Sequence, residues 1–119
     1  MKSFSSLKKN TDFRAVYRKR RSKADRFFVM YVLENGLEIN RLGISVSKKV
    51  GNSVVRHRLT RLIREAYRLH EDKFNSGLDI VVVARESANP QKDTDYKPLK
   101  CQDVERSLIN LGKAHKIVK

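Results

Sequence analysis

The chain has 119 residues, with 27 Lys and Arg against 13 Asp and Glu, a formal charge of +14 and a pI near 10.3. Its length fits one domain, and a hydrophobic fraction of 39% excludes a disordered basic tail. One cysteine, Cys101, excludes an intrachain disulfide and a cysteine zinc cluster, and no apolar run approaches transmembrane length.

So large an excess of positive charge repels itself unless a polyanion screens it. Nucleic acid is the leading partner class, ahead of an anionic membrane. The N-terminal residues "MKSFSSLKKN" lack the apolar stretch of a signal peptide, and a cytoplasmic protein is expected. The whole chain, 1–119, reads as one RNA-binding domain. The basic segment 1–9 and the proline-containing loop 86–102 are expected to be mobile.

In chain order, "NTDFRAVYRKRRS" predicts a short helix from Asn10, capped by Asn10 or Thr11. Phe13, Val16 and Tyr17 share one face of it, and Arg14, Arg18 and Arg21 another. "RFFVMYVLE", Arg26 to Glu34, predicts a strand. Both its parities are apolar, Phe28, Met30 and Val32 on one side and Phe27, Val29, Tyr31 and Leu33 on the other, so both faces need cover. Asn35-Gly36 predicts a hairpin turn into "RLGISVSKK", with a three-residue turn and a bulge to bring Leu42, Ile44 and Val46 onto the Phe28/Met30 face. Gly43 and Ser45 then leave a groove beside Tyr31.

"GNSVVRHRLTRLIRE" predicts a helix. On a wheel, Val55, Leu59, Leu62, Ala66 and Leu69 form an apolar stripe opposite His57, Arg61, Arg64 and Arg68, with Arg56 and Arg58 at its edges. Gly51 and Asn52, after Lys48 and Lys49, predict a turn at its N-terminus, where backbone N–H groups suit an anion. The planar forks of arginine suit phosphate better than lysine does. "LDIVVVAR", Leu78 to Arg85, predicts a central strand. A last helix is expected from about Asp103, with Val104, Leu108 and Leu111 inward. The fold class is therefore α+β: a small two-layer α/β sandwich, a mixed sheet of about four strands with three helices, in the order αβββαβα.

No His, Asp or Glu group stands at metal-ligand or acid–base spacing, which argues against a protein-only nuclease. A DNA-binding helix stays open as a reading, although no helix-turn-helix spacing precedes Asn52. An RNA-binding subunit of a ribonucleoprotein enzyme and a structural, ribosomal-type RNA binder remain.

The strings "LGISVSKKVGNSVVRHRLTRLIRE", "LKKNTDFRAVY" and "DIVVVAR" resemble the protein subunit of bacterial ribonuclease P over most of the chain. The family's R-N-R-x-K-R-x-x-R pattern is met by Arg56, Arg58, Arg61 and Arg64. His57 replaces its Asn and Thr60 its Lys. The resemblance implies a catalytic RNA subunit as partner, and precursor tRNA as the substrate whose 5′ leader that RNA removes. The RNA would work with Mg2+, and no cofactor would be held by the protein alone. It also implies RNA binding by Lys48, Lys49, Asn52, Arg56, His57, Arg58, Arg61, Arg64 and Arg68. Phe13, Tyr17, Val29 and Tyr31 would form a leader cleft, and no protein residue would be catalytic.

Overall fold

A computed structural model describes residues 4–89 and 98–119. Eight main elements follow in order: β1 (Phe4–Ser6), α1 (Asn10–Arg18), β2 (Ser22–Ala24), β3 (Phe28–Glu34), β4 (Asn40–Ser45), α2 (Ser53–His70), β5 (Leu78–Ala84) and α3 (Cys101–Ala114). The strands form one mixed sheet in the order β1-β4-β5-β3-β2. β1 and β5 run parallel to β4, whereas β3 runs antiparallel to both β5 and β2.

The predicted hairpin does not form. β3 and β4 are consecutive, yet β5 lies between them. Every residue of β5 except Val83 is buried, and both its parities are apolar. A β3–β4 hairpin would leave this strand at a sheet edge, where unpaired backbone is a liability. Placed centrally, it pairs Met30 with Val82 on one side and Ile44 with Val82 on the other. Residues 35–39 then bridge two strand spacings, roughly 10 Å, with Gly36 at a φ of 71°. No bulge is needed. The intervening strand itself brings Leu42 onto the face of Phe28, Met30 and Val32.

The parallel neighbours β4 and β5 require a crossover, and α2 supplies it. α2 and α3 cover the Met30 face. Their buried residues Leu59, Ile63, Ala66, Tyr67, Val104, Leu108 and Leu111 close the main core. The inward stripe of α2 is rotated from the predicted one. Ile63 and Tyr67 are buried, while Leu69 is 49% exposed. α1 lies on the opposite face, where Val16 packs on Val81 and Leu7. The sheet therefore has helices on both sides, but the second side carries only this nine-residue helix.

Other local readings change as well. β1, inside the segment expected to be mobile, pairs with β4, and Phe4 stands edge-on to Tyr67 at 4.9 Å. Lys9 occupies the N-cap of α1 with no side-chain cap, so neither Asn10 nor Thr11 has that task. α3 begins at Cys101, two residues earlier than expected, with Val104, Leu108 and Leu111 inward. Of the loop expected at 86–102, residues 90–97 lie outside the described residues.

Candidate nucleic-acid interface

α2 is anchored so that its charges stay in solvent. Asn52 caps it, its Oδ1 accepting from the Val55 N–H at 3.0 Å. Asn52 was a candidate RNA ligand, but this oxygen is committed to the helix. The preceding turn is closed by Val50 N–H on the Ser47 carbonyl. It thus falls on Lys48 and Lys49, both exposed, rather than on Gly51 and Asn52. Gly51 is needed for close packing: a Cβ there would lie 2.9 Å from Val55 and 3.0 Å from Asn89.

The predicted RNA-binding residues of α2 fall into two groups. Arg56 and Arg58 tie the helix down, the first through Nε to the Val46 carbonyl at 3.1 Å, the second through Nη2 to the Leu99 carbonyl at 2.6 Å. His57, Arg61, Arg64 and Arg68 form the exposed row. Glu65 serves only Arg68 of these, at 2.5 Å, and that pairing holds its carboxyl below the usual carboxylate range. Arg61 and Arg64 have no acidic partner among the described residues. With Val54, His57, Arg58, Leu62 and Glu65 they line an open recess of about 1010 Å³. Thr60 turns back to its own helix, its hydroxyl donating to the Arg56 carbonyl.

The predicted cleft residues are brought together on the other face of the sheet. Tyr17 and Tyr31 meet edge to face at 4.9 Å, and Phe13 lies 6.3 Å from Tyr17. Phe13, Tyr17, Val29 and Tyr31 are all half-buried. Phe13 covers Gly43, so the small residue at 43 seats α1 instead of opening a groove. Ser45 is half-buried and bonded to Tyr17. Burial raises the Tyr17 phenol, and a hydrogen bond with Ser45 works against that rise. At the other end, Arg41 grips the buried Asp79 carboxylate at 2.6 and 2.8 Å and reaches Asp12 of α1 at 3.5 Å. Sequence reasoning did not single out Val83 or the short strand β2, which continue the floor beyond Val29. Strand alternation signals Val83, but three residues with no apolar pattern gave no sign of β2.

No group of three or more His, Cys, Asp or Glu side chains among the described residues is placed to hold a metal ion. No described helix is long and apolar enough to cross a membrane.

The model of the Ribonuclease P family matches residues 1–110. The chain belongs to that family. It is 53% identical over 113 residues to the ribonuclease P protein component of Lachnoclostridium phytofermentans, covering 95% of this chain and 90% of that one. With the corresponding protein of Alkaliphilus oremlandii it shares 44% over 118 residues, covering 99% and 96%. Among solved structures, the RNase P protein of Staphylococcus aureus matches with a TM-score of 0.80 at 38% identity, over 99% of this chain and 100% of that one. The RNase P protein of Thermotoga maritima matches at 0.79 and 29%, over 92% and 96%. Both share this family's α+β fold.

Proposed function

We propose that this chain is the protein component of ribonuclease P, which assists a catalytic RNA in removing the 5′ leader of precursor tRNA. Its two working surfaces are the exposed arginine row of α2, which takes the catalytic RNA, and the aromatic cleft under α1, which takes the leader. One observation carries this division. Two unlike surfaces occupy opposite faces of one sheet, and each matches a different RNA chemistry. Unpaired arginine forks suit phosphate, and half-buried rings suit unstacked bases. A purely structural RNA binder needs the first surface but not the second.

The chemistry resides in the RNA. The protein's own residues bind and orient, and Mg2+ acts with the RNA subunit, where it supplies charge stabilisation to phosphodiester cleavage. The cytoplasm, where precursor tRNA is made in bacteria, is the expected compartment.

The test is Tyr31→Ala in the reconstituted holoenzyme. Stacking is worth roughly 1–3 kcal/mol per base, so affinity for precursor tRNA should fall by that amount while affinity for mature tRNA holds. An equal fall for both, or none, would return Tyr31 to the core. The RNA recovered with the protein from cells separates the alternatives independently. A single abundant non-ribosomal RNA supports ribonuclease P, and ribosomal RNA supports a ribosomal-type role.

A further inference from the structure

We propose that the corner where β2 meets the C-terminal ends of α1 and α3 is a second phosphate-binding surface, on which Arg20, Arg21, Lys23 and Lys116 hold a segment of the catalytic RNA other than the one on α2. This rests on the reading that α2 takes the catalytic RNA, and adds to it a separate site.

The corner is assembled from distant parts of the chain. Arg21 Nη2 donates to the carbonyl of His115, the C-cap of α3, at 3.3 Å, and so joins the end of α3 to the segment that follows α1. Lys23 pairs with Met30, and the Arg21 carbonyl accepts from the Val32 N–H at 3.1 Å. Paired residues share a face, so both cations stand on the Met30 side of the sheet, beside α3. Burial lowers the His115 pKa, and the charges of Arg21 and Lys23 lower it further, which places both cations near that ring. Arg21 and Lys116 line one open recess of about 380 Å³. Glu34 lines it too, but none of the four exposed cations forms an ion pair with an acid among the described residues.

The backbone sets this corner apart. Arg20, at a φ of 54°, and Lys116, at 63°, are the residues other than glycine with a positive φ among the described residues. Each is the first residue past a helix C-cap, Lys19 for α1 and His115 for α3. That position favours glycine, because a Cβ is strained there. Both helix ends carry a long cation instead, and the Arg21 bond ties the two ends together. The macrodipole of α3 favours cations near its last carbonyls, but a cation within the last turn would serve it without strain. Strain of this kind is held where a site requires it, and a phosphate ligand requires the cations at these positions.

The occupant follows from the side of the sheet. α2 and α3 both cover the Met30 face, and the aromatic cleft lies on the other. The corner therefore shares its side with α2. α2 packs over β4 and α3 over β3 and β2, so α3, about 10 Å across, stands between α2 and the corner. The solvent-facing charges of α3 are Asp103 and Glu105 against Arg106 and Lys113, a ridge of no net charge. The two basic surfaces are thus separate contacts, and an RNA lying along α2 meets the corner with a different part of its backbone.

The experiment measures binding of the full chain to the catalytic RNA over a range of salt. Arg20→Gly/Lys116→Gly removes two cations and keeps both left-handed turns, so its melting temperature should hold or rise. Its salt slope should nevertheless fall by about 0.7–0.9 for each phosphate no longer neutralised. Hydroxyl-radical footprinting should then show backbone newly exposed at nucleotides other than those exposed by Arg61→Ala/Arg64→Ala. Lys23→Ala, which touches neither helix end, should lower the slope in the same way and decides the matter if the glycine variant is unstable. Arg14→Ala/Arg18→Ala removes the same charge from the side of α1 turned away from the sheet, and should leave the slope unchanged. The holoenzyme's affinity for precursor tRNA should be unaffected by the corner variants. Unchanged slopes in the corner variants, an equal fall for Arg14→Ala/Arg18→Ala, a footprint matching that of the α2 variant, or a loss confined to precursor tRNA overturns the inference. Arg61→Ala/Arg64→Ala separates the failures. If it lowers the slope and the corner variants do not, only the corner is wrong. If neither does, the catalytic RNA does not lie on this side of the sheet, and the reading of α2 falls together with the corner.

Discussion

The ring of Phe13 fills the space that a side chain on Gly43 would occupy: a Cβ there would stand 2.8 Å from its Cε1 and Cζ and 3.2 Å from Leu7 Cβ. This packing seats α1 on β4 and so fixes the height of the Phe13 and Tyr17 rings above the sheet. Gly43→Ala should therefore lift the helix. Overpacking of this kind costs about 1–3 kcal/mol, which urea denaturation would read as a lower midpoint at unchanged m. The same variant should lose part of its preference for precursor over mature tRNA, because Tyr17 moves with the helix. Full stability in Gly43→Ala would mean that Phe13 has room to turn away.

The two groups of α2 arginines should separate in experiment. Arg61→Ala and Arg64→Ala should leave the melting temperature nearly unchanged and reduce the salt slope of catalytic-RNA binding by about 0.7–0.9 for each phosphate no longer neutralised. Arg58→Ala should instead destabilise the free protein by about 0.5–1.5 kcal/mol, since it removes the hydrogen bond to the Leu99 carbonyl. Slopes unchanged in both Arg61 and Arg64 variants would make that face merely solvated.

Much of this site was legible in the residues. The opposition of His57, Arg61 and Arg64 to the apolar stripe is a matter of helical period, and the gathering of Phe13, Tyr17, Val29 and Tyr31 required only two amphipathic faces to meet. Strand order was not legible. Asn35-Gly36 is a strong local signal for a hairpin, but whether β5 enters between the joined strands depends on where β5 buries its second face, a non-local matter. For the same reason Leu42 reached the predicted face by another route. Ile63 and Tyr67 displaced Leu69 from the inward stripe because α3 packs against that flank of α2. β1 and β2 have three residues each and no alternation to read; pairing with a longer neighbour makes them strands.

Arg20 ends the first helical segment with a φ of 54°. A left-handed conformation costs a residue with a Cβ roughly 1–2 kcal/mol, and glycine gives back about 0.5–1 kcal/mol of that in chain entropy. Arg20→Gly should thus stabilise the free protein by about 0.5–1 kcal/mol, measured by urea denaturation. A decrease in stability would show that the Arg20 side chain packs or bonds more favourably than the strain costs.

His115 should make stability depend on pH. It is 4% exposed, and its Nε2–H donates to the Met30 carbonyl at 2.8 Å, so the ring is held neutral in the core. Burial lowers its pKa below the ordinary 6.5, and the nearby charges of Arg21 and Lys23 lower it further, against the opposing effect of the Met30 bond. Above 6.5 the ring is neutral in both folded and unfolded chains and contributes no pH dependence. As pH falls through 6.5, the unfolded chain takes up a proton that the folded chain refuses. Stability then declines until the folded pKa is reached. Urea denaturation between neutral pH and about pH 5 should show this decline. His115→Gln, whose amide can still donate to Met30, should decline less, since the carboxylates that titrate lower are common to both proteins. Parallel pH curves for the two would mean that the histidine is protonated as readily folded as unfolded.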